Sequence, residues 1–385
     1  MKISILTPDF SNNCYGRAWL LANLLSDEFD IEIIGPDFGR GLWKPMAEVS
    51  QFEKKVVPLR ADGSPDIRKY LECIGGDVIY ASKPLFNSFG VGLLKSIPSR
   101  KPLVLDIDDY EPGFGGSFYR SLTWPKKIVD CMRSLSNFQT YYYTLILDKL
   151  TFVSKKITVS GPVLQKRYGG VVVWHGRNEK VFDPGKYDRE NIRLRHLPRE
   201  SRDDFIIGFM GTPRKHKGLD DLLSAFEALS LKTIKLMVVG DLKDGYSESD
   251  LAFFLDRCGP GQILPLGVRP FSQLPELLMI PDVIVIPQKN QRAAKGQVPA
   301  KLFDAMVMGK PIIATHVPEI QDILNGCGWL VEPDNPQELI QCLQYVISHP
   351  QERKERGRMA RQKFIAAYSW QKLKNLVLRV FEEIV

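Results

Sequence analysis

Two stretches of the chain concentrate residues that could do chemistry, and each lies where a predicted strand gives way to a helix. The first is Gly208-Phe209-Met210-Gly211-Thr212-Pro213-Arg214-Lys215-His216-Lys217-Gly218. Ligands of open α/β sheets bind outside the carboxyl ends of strands, which is where Gly211 and this basic loop fall. Arg214 suits a forked contact to a phosphate and Lys217 a point contact. A leaving nucleotide diphosphate gathers negative charge as a glycosidic bond breaks, so fixed cations here would favour the transition state over the ground state. A solvated basic turn has the same composition.

The second stretch runs from Lys295-Gly296-Gln297-Val298-Pro299 through Lys301-Leu302-Phe303-Asp304 to Gly309-Lys310-Pro311. A loop with glycine leads into a helix that has Pro299 near its first turn, a favoured place for proline. Free N–H groups at such a start form an anion site. Gly309 closes the helix and a buried strand follows. Asp304, one turn in, could accept hydrogen bonds from vicinal hydroxyls such as a ribose presents. It could equally pair with Lys301 at i, i+3 on the surface.

The first half carries weaker signals. Ser11–Arg17 is a turn-rich loop before a helix, where Gly16 permits close backbone approach and Arg17 could reach a phosphate. Asp106-Ile107-Asp108-Asp109-Tyr110-Glu111 ends another strand. Such clustered carboxylates suit a divalent cation, an acceptor hydroxyl oriented by Asp108 or Asp109, or a structural cap. His175 is a further candidate near a chain crossing. Residues 116–150 mix Phe118, Tyr119, Trp124 and Tyr141 to Tyr143 with Arg120, Lys126, Lys127 and Arg133. That mix fits a membrane interface or lipid-linked acceptor, and also a helix covering a sheet with snorkelling cations.

The elements that must position these residues read as alternating short apolar runs and helical patterns, the signature of parallel sheets. Strands are predicted at 2–7, 31–35, 77–81, 102–106 and 156–160, and again at 205–210, 235–240, 262–266, 283–287, 311–315 and 329–332. A polar stretch at 176–203 reads as a linker between a domain at 1–175 and another at 204–369. The fold class is therefore α/β, with two doubly wound, Rossmann-like domains. A chain of 385 residues is long enough for both.

Composition narrows the classes. The net charge of +7 is spread over both halves, which disfavours nucleic-acid binding and suits an anionic small molecule or membrane surface. Six scattered cysteines read as reduced thiols of a cytoplasmic protein. The opening Met1–Pro8 is too polar for a secretory stretch, and no apolar run is long enough to span a bilayer. No Gly-x-Gly-x-x-Gly follows a strand, which ranks a dinucleotide oxidoreductase last.

Taken together, the motifs resemble the family 4 retaining glycosyltransferases with the GT-B fold, over nearly the whole chain. The resemblance implies a cleft between the domains, a donor held mainly by the second, an acceptor by the first, and a last helix, 370–385, returning to the first. It implies catalytic roles for Arg214 and Lys217 as the diphosphate-binding pair; Asp108 and Asp109 join them as candidates to orient the acceptor hydroxyl, in a region where many relatives place a histidine that this sequence lacks. It implies donor contacts at Gly16, Arg17, Gly211, Val268, Gln297, Val298, Lys301 and Asp304. In it, Gly267-Val268-Arg269 meets the base through backbone atoms. No metal and no cofactor are implied beyond the nucleotide-diphosphate sugar as co-substrate, and the acceptor is a glycan or lipid-linked. The thiols point to a cytoplasmic protein, and the stretch 116–150 adds the option of a peripheral contact at the inner membrane face. Two departures stand out: the second acid of the family's Glu-x7-Glu signature is Asp304, and the first falls on Gly296, leaving its sugar-holding role to Lys295 or Gln297. A sugar-nucleotide epimerase or a non-catalytic nucleotide-sugar sensor remains an alternative.

Overall fold

In a computed structural model, which describes all residues but 40, 50, 115–122, 125, 128–139, 292–295 and 385, each half builds one parallel sheet. The first sheet has seven strands: β1 (Lys2–Leu6), β2 (Asp30–Pro36), β3 (Glu53–Val57), β4 (Val78–Ser82), β5 (Leu103–Ile107), β6 (Lys156–Val159) and β7 (Val171–Val172). Their spatial order is β3-β2-β1-β4-β5-β6-β7, and every pairing is parallel. The order reverses between β1 and β4, so a crevice opens outside their carboxyl ends. β4 and β5 are buried throughout and β2 is buried beyond Asp30, as the apolar runs Ile-Ile and Val-Leu require of strands covered on both faces. β3, Glu-Lys-Lys-Val-Val, escapes an apolar scan because it is an edge strand whose charges discourage further pairing.

The second sheet has six strands: β8 (Phe205–Met210), β9 (Ile234–Val239), β10 (Ile263–Gly267), β11 (Val283–Ile286), β12 (Ile312–Thr315) and β13 (Trp329–Val331). They run β10-β9-β8-β11-β12-β13, again all parallel, with the reversal between β8 and β11. Ile207, Phe209, Leu222, Phe226, Val238, Val285 and Leu343 form its core with the helices Leu219–Leu229 and Pro336–Ser348.

The chain divides into two compact units after His175, and the short stretch that ends at Val298 counts with the first of them. The stretch 176–203 is not a free linker, which corrects the sequence reading. It belongs to the second unit through the helix Arg189–His196. Arg189 and Arg193 reach the Asp282 carboxylate at 2.6 and 2.7 Å, Arg193 also takes the Ile280 carbonyl at 2.8 Å, and Ile192 is buried. Polar composition is a poor guide here because Arg189 and Arg193 turn inward, to one carboxylate and to backbone carbonyl groups. From Gln371 the tail counts with the first unit. Leu373, Val377, Val380 and Phe381 are buried there, with the Phe381 ring 5.5 Å from Tyr80. Lys374 meets Asp27 and Glu28 at 3.0 and 3.2 Å.

Candidate functional site

In the second unit, β8, β9 and β10 run out at Gly211, Gly240 and Gly267. The amide of Gly211 donates to the Val239 carbonyl at 2.7 Å, and that of Gly240 to the Gly267 carbonyl at 2.9 Å. The basic loop after Gly211 is clamped at its far end. Gly218 has φ of +67°, and a Cβ there would lie 1.8 Å from the Pro287 carbonyl oxygen, so only glycine fits. The His216 carbonyl accepts from the Lys289 amide at 3.0 Å. Arg214 and Lys217 are thereby set around the short turn Lys215–Lys217, against the end of β11 and half-buried. Val268, just past β10, is partly exposed, beside Arg269, whose Nε donates to the Leu266 carbonyl at 2.8 Å.

The helix Ala300–Val307 buries all of its side chains from Lys301 to Val307. Two of those are charged. Lys301 Nζ stands 4.1 Å over the Phe209 ring and has no hydrogen-bond partner. Burial holds it well below the usual lysine range, and the like charge of Lys217 adds to the effect against the pull of Asp304. Asp304 is neither at the surface nor paired with Lys301. Its Oδ1 lies 2.6 Å from Arg177 Nε, too poorly aligned for a hydrogen bond. Burial raises its pKa, and Arg177 and Lys301 oppose the rise. Arg177 also covers the Phe271 ring at 5.1 Å.

Two further groups here were missed by the sequence reading. Gln288, directly past the end of β11, and Glu319, beyond β12, are buried, and Gln288 Nε2 and Glu319 Oε1 lack partners. Neither carries a local motif; only unsatisfied burial at strand ends marks them.

The first unit revises several expectations. Arg17 does not face a phosphate. Its Nε and Nη2 fork onto both oxygens of Asp106 at 2.9 and 2.8 Å, and Nη2 also donates to the Val173 carbonyl at 2.8 Å. Asp106 accepts from Thr158 as well, at 2.7 Å, and both partners are buried. With these acceptors the guanidinium is a core tie and Asp106 is no metal ligand. Gly16 lies in the helix Cys14–Leu25, and the close approach it allows is to the Trp43 ring, 3.1 Å from where a Cβ would stand.

Asp108 and Asp109 do come together, around a lysine that sequence reasoning passed over. Lys83 Nζ lies 2.7 Å from Asp108, 2.5 Å from Asp109 and 2.7 Å from Glu111. The three carboxylates are spaced as a metal-ligand set would be. The ammonium already occupies their centre, so the residues present fit a fixed lysine charge better than an ion. Burial pushes Asp108 up to about 7 against the pull of Lys83. Burial also acts on Asp109, but Lys83, a hydrogen bond from Gln297 and the charge of His175 hold it below its ordinary value.

Gln297 was expected toward the donor sugar; its Nε2 instead donates to Asp109 Oδ1 at 2.7 Å. The Val298 side chain is buried, leaving only its backbone for a ligand. Gly296 has φ of +82° and a would-be Cβ 3.1 Å from Leu164 Cδ2. A glutamate would be strained on this backbone. Most of the aromatic and basic stretch 116–150 lies outside the described residues; within them Trp124 is exposed and Leu147 of the helix Tyr141–Lys149 is buried. Among the described residues no helix is long and apolar enough to cross a membrane. Of the cysteines described, Cys14 and Cys327 are buried, and none is in a disulfide.

Comparison with known proteins bears on the family and the fold. Residues 204–349 match the family described as Glycosyl transferases group 1. An uncharacterized glycosyltransferase of Methanocaldococcus jannaschii is 25% identical over 313 residues, 80% of this chain and 75% of that protein. The capsular polysaccharide biosynthesis glycosyltransferase CapM of Staphylococcus aureus is 27% identical over 185 residues, 45% of this chain. That alignment spans only 46% of CapM. Among solved structures, Anabaena HepE in complex with UDP-glucose superposes with a TM-score of 0.77 at 18% identity, over 100% of each chain. The last likeness is one of fold, the paired Rossmann-like units of GT-B glycosyltransferases.

Proposed function

We propose that this chain, a glycosyltransferase of group 1 by its second unit and of GT-B architecture, moves a sugar from a nucleotide-diphosphate donor to a glycan or lipid-linked acceptor. One observation carries the reading. At the carboxyl ends of the second sheet, where its strand order reverses, a buried lysine without a partner stands in the field of a second lysine. A buried amine without a hydrogen-bond partner, beside a half-buried lysine, suits an anion, and a diphosphate supplies one.

Arg214, Lys217 and Lys301 bind the diphosphate, helped by the amides that open the helix Ala300–Val307. As the bond from the anomeric carbon to the diphosphate breaks, these cations take up the growing charge. Asp304 receives the ribose hydroxyls once Arg177 gives way, and the backbone at Val268 meets the base. The acceptor hydroxyl is oriented by Asp108 and Asp109. It attacks on the face the diphosphate leaves, its proton passing to the departing phosphate, so configuration is retained. The likeness to HepE, whose complex holds UDP-glucose, supports a uridine donor, and the name of CapM supports a polysaccharide acceptor. Gly296 favours one second reading, a homologue that binds nucleotide sugars without turnover.

The test is acceptor-dependent release of nucleoside diphosphate from a panel of nucleotide sugars, with and without excess chelator, and the anomeric configuration of the product by NMR. Release that requires an acceptor and survives chelation supports the proposal. Binding without release supports the sensor, and an inverted product removes the same-face step.

A further inference from the structure

β4 ends in a turn that its own sequence makes expensive. Lys83 has φ of +74°, the left-handed region, where a side chain is strained. Its amide donates to the Asp106 carbonyl at 2.8 Å and its carbonyl accepts from the Leu85 amide at 2.8 Å, so the backbone is fixed on both sides. Glycine or asparagine would make the same turn with less strain. What neither could supply is the side chain. That side chain is buried, 7% exposed, and its ammonium touches one oxygen from each of Asp108, Asp109 and Glu111.

The charges do not balance. One ammonium faces three carboxylates, and Arg17 nearby is already committed to Asp106. Asp106 and Arg17 act on Asp108 in opposite directions, His175 acts on Asp109, and the buried Cys14 thiol feels both Lys83 and Asp108. The three carboxylates are held unequally. Asp109 has Lys83 on one oxygen and Gln297 on the other, at 2.5 and 2.7 Å. Asp108 Oδ1 has the ammonium at 2.7 Å but no aligned hydrogen bond. Without the lysine, three buried carboxylates this close would take up protons, because like charges out of water cannot all ionise.

We propose that Lys83 is a positioning residue for sugar transfer, placed in a strained turn so that its ammonium keeps the Asp108–Asp109 pair oriented and able to accept a hydrogen bond from the acceptor hydroxyl. The proposal rests on the acceptor role given to that pair above. Lys83 itself touches neither sugar. Its charge stands where a divalent ion would otherwise have to stand, so the pair keeps its geometry whatever the metal supply.

The experiment follows the pH dependence of kcat in the full-length protein, with donor KM measured in parallel. Lys83→Met removes the charge that favours ionisation and moves the acid limb up by one pH unit or more, about a tenfold loss at a fixed pH on that limb, with donor KM unchanged. Glu111→Gln removes a competing negative charge and moves the same limb down. Opposite shifts support the proposal; limbs that keep the wild-type midpoint in both variants overturn it. Should Lys83→Met fail to fold, Glu111→Gln decides alone, and an unmoved limb there overturns the proposal. The acceptor reading is tested separately. An Asp108→Asn/Asp109→Asn double variant with wild-type turnover overturns that reading, and Lys83 with it. An inactive double variant together with unmoved limbs overturns the Lys83 proposal alone.

Discussion

Arg177 Nε and Asp304 Oδ1 meet 2.6 Å apart inside the second unit, and neither atom has an aligned hydrogen-bond partner. The pair is an ionic contact held by packing, with both side chains mostly buried. Removing one partner leaves an uncompensated charge, which costs about 3–5 kcal/mol at buried sites. Arg177→Ala is therefore expected to lower the urea-unfolding free energy by roughly that amount near neutral pH. The sign of the pH dependence follows from the direction of the Asp304 shift, which is upward. A carboxyl raised in the folded state binds its proton more tightly there than when unfolded. The penalty is thus full above its folded pKa and fades as pH falls through it. Unfolding curves for the variant at acidic and neutral pH check this; a loss that grows on acidification contradicts it.

Lys301 presents the opposite case, a buried amine without a hydrogen-bond partner. Lys301→Met keeps the stem and removes the charge. The ligand-free protein is expected to become more stable, while nucleoside diphosphate binding weakens by about 1.5–3 kcal/mol, the worth of a charged hydrogen bond. Lowered in the folded state, the lysine makes wild-type stability rise as pH climbs from its folded pKa toward the ordinary lysine value. The methionine variant lacks that slope. Thermal melts across pH, with and without nucleotide, read both effects.

Arg17 separates a structural role from a ligand role. Its fork onto Asp106 spans the first unit between the helix Cys14–Leu25 and β5. Arg17→Met is expected to destabilise by about 3–5 kcal/mol, leaving Asp106 buried without its charge partner. Nucleotide affinity of the folded variant should stay unchanged. A stable variant with weakened nucleotide binding would restore the phosphate role expected from the sequence.

What was legible in the sequence was local. Apolar runs such as Ile31–Ile34 and Val283–Ile286 announced parallel strands because both of their faces are covered. The basic loop and the Lys301–Asp304 helix could be placed at strand ends from glycine and proline alone. Pairings across long separations were not legible. Nothing near Arg17 in sequence names Asp106, 89 positions on, as its partner. Lys83 carries no local signal, because the carboxylates that meet its ammonium follow a whole helix later. The helix Arg189–His196 passed for a linker for the same reason, its arginines answering to Asp282. Gly296 reads as a lost acid, and its positive φ and the nearness of Leu164, neither visible in the sequence, leave little room for a side chain there.

The account depends most on a diphosphate seat built from Arg214, Lys217 and Lys301, and calorimetric titration with nucleoside diphosphates tests it most directly. Wild-type protein should bind at least one, with affinity falling as salt rises, and Arg214→Ala and Lys217→Ala should each weaken binding by about 1.5–3 kcal/mol, on the order of 10- to 150-fold. Wild-type affinity in both variants would contradict it.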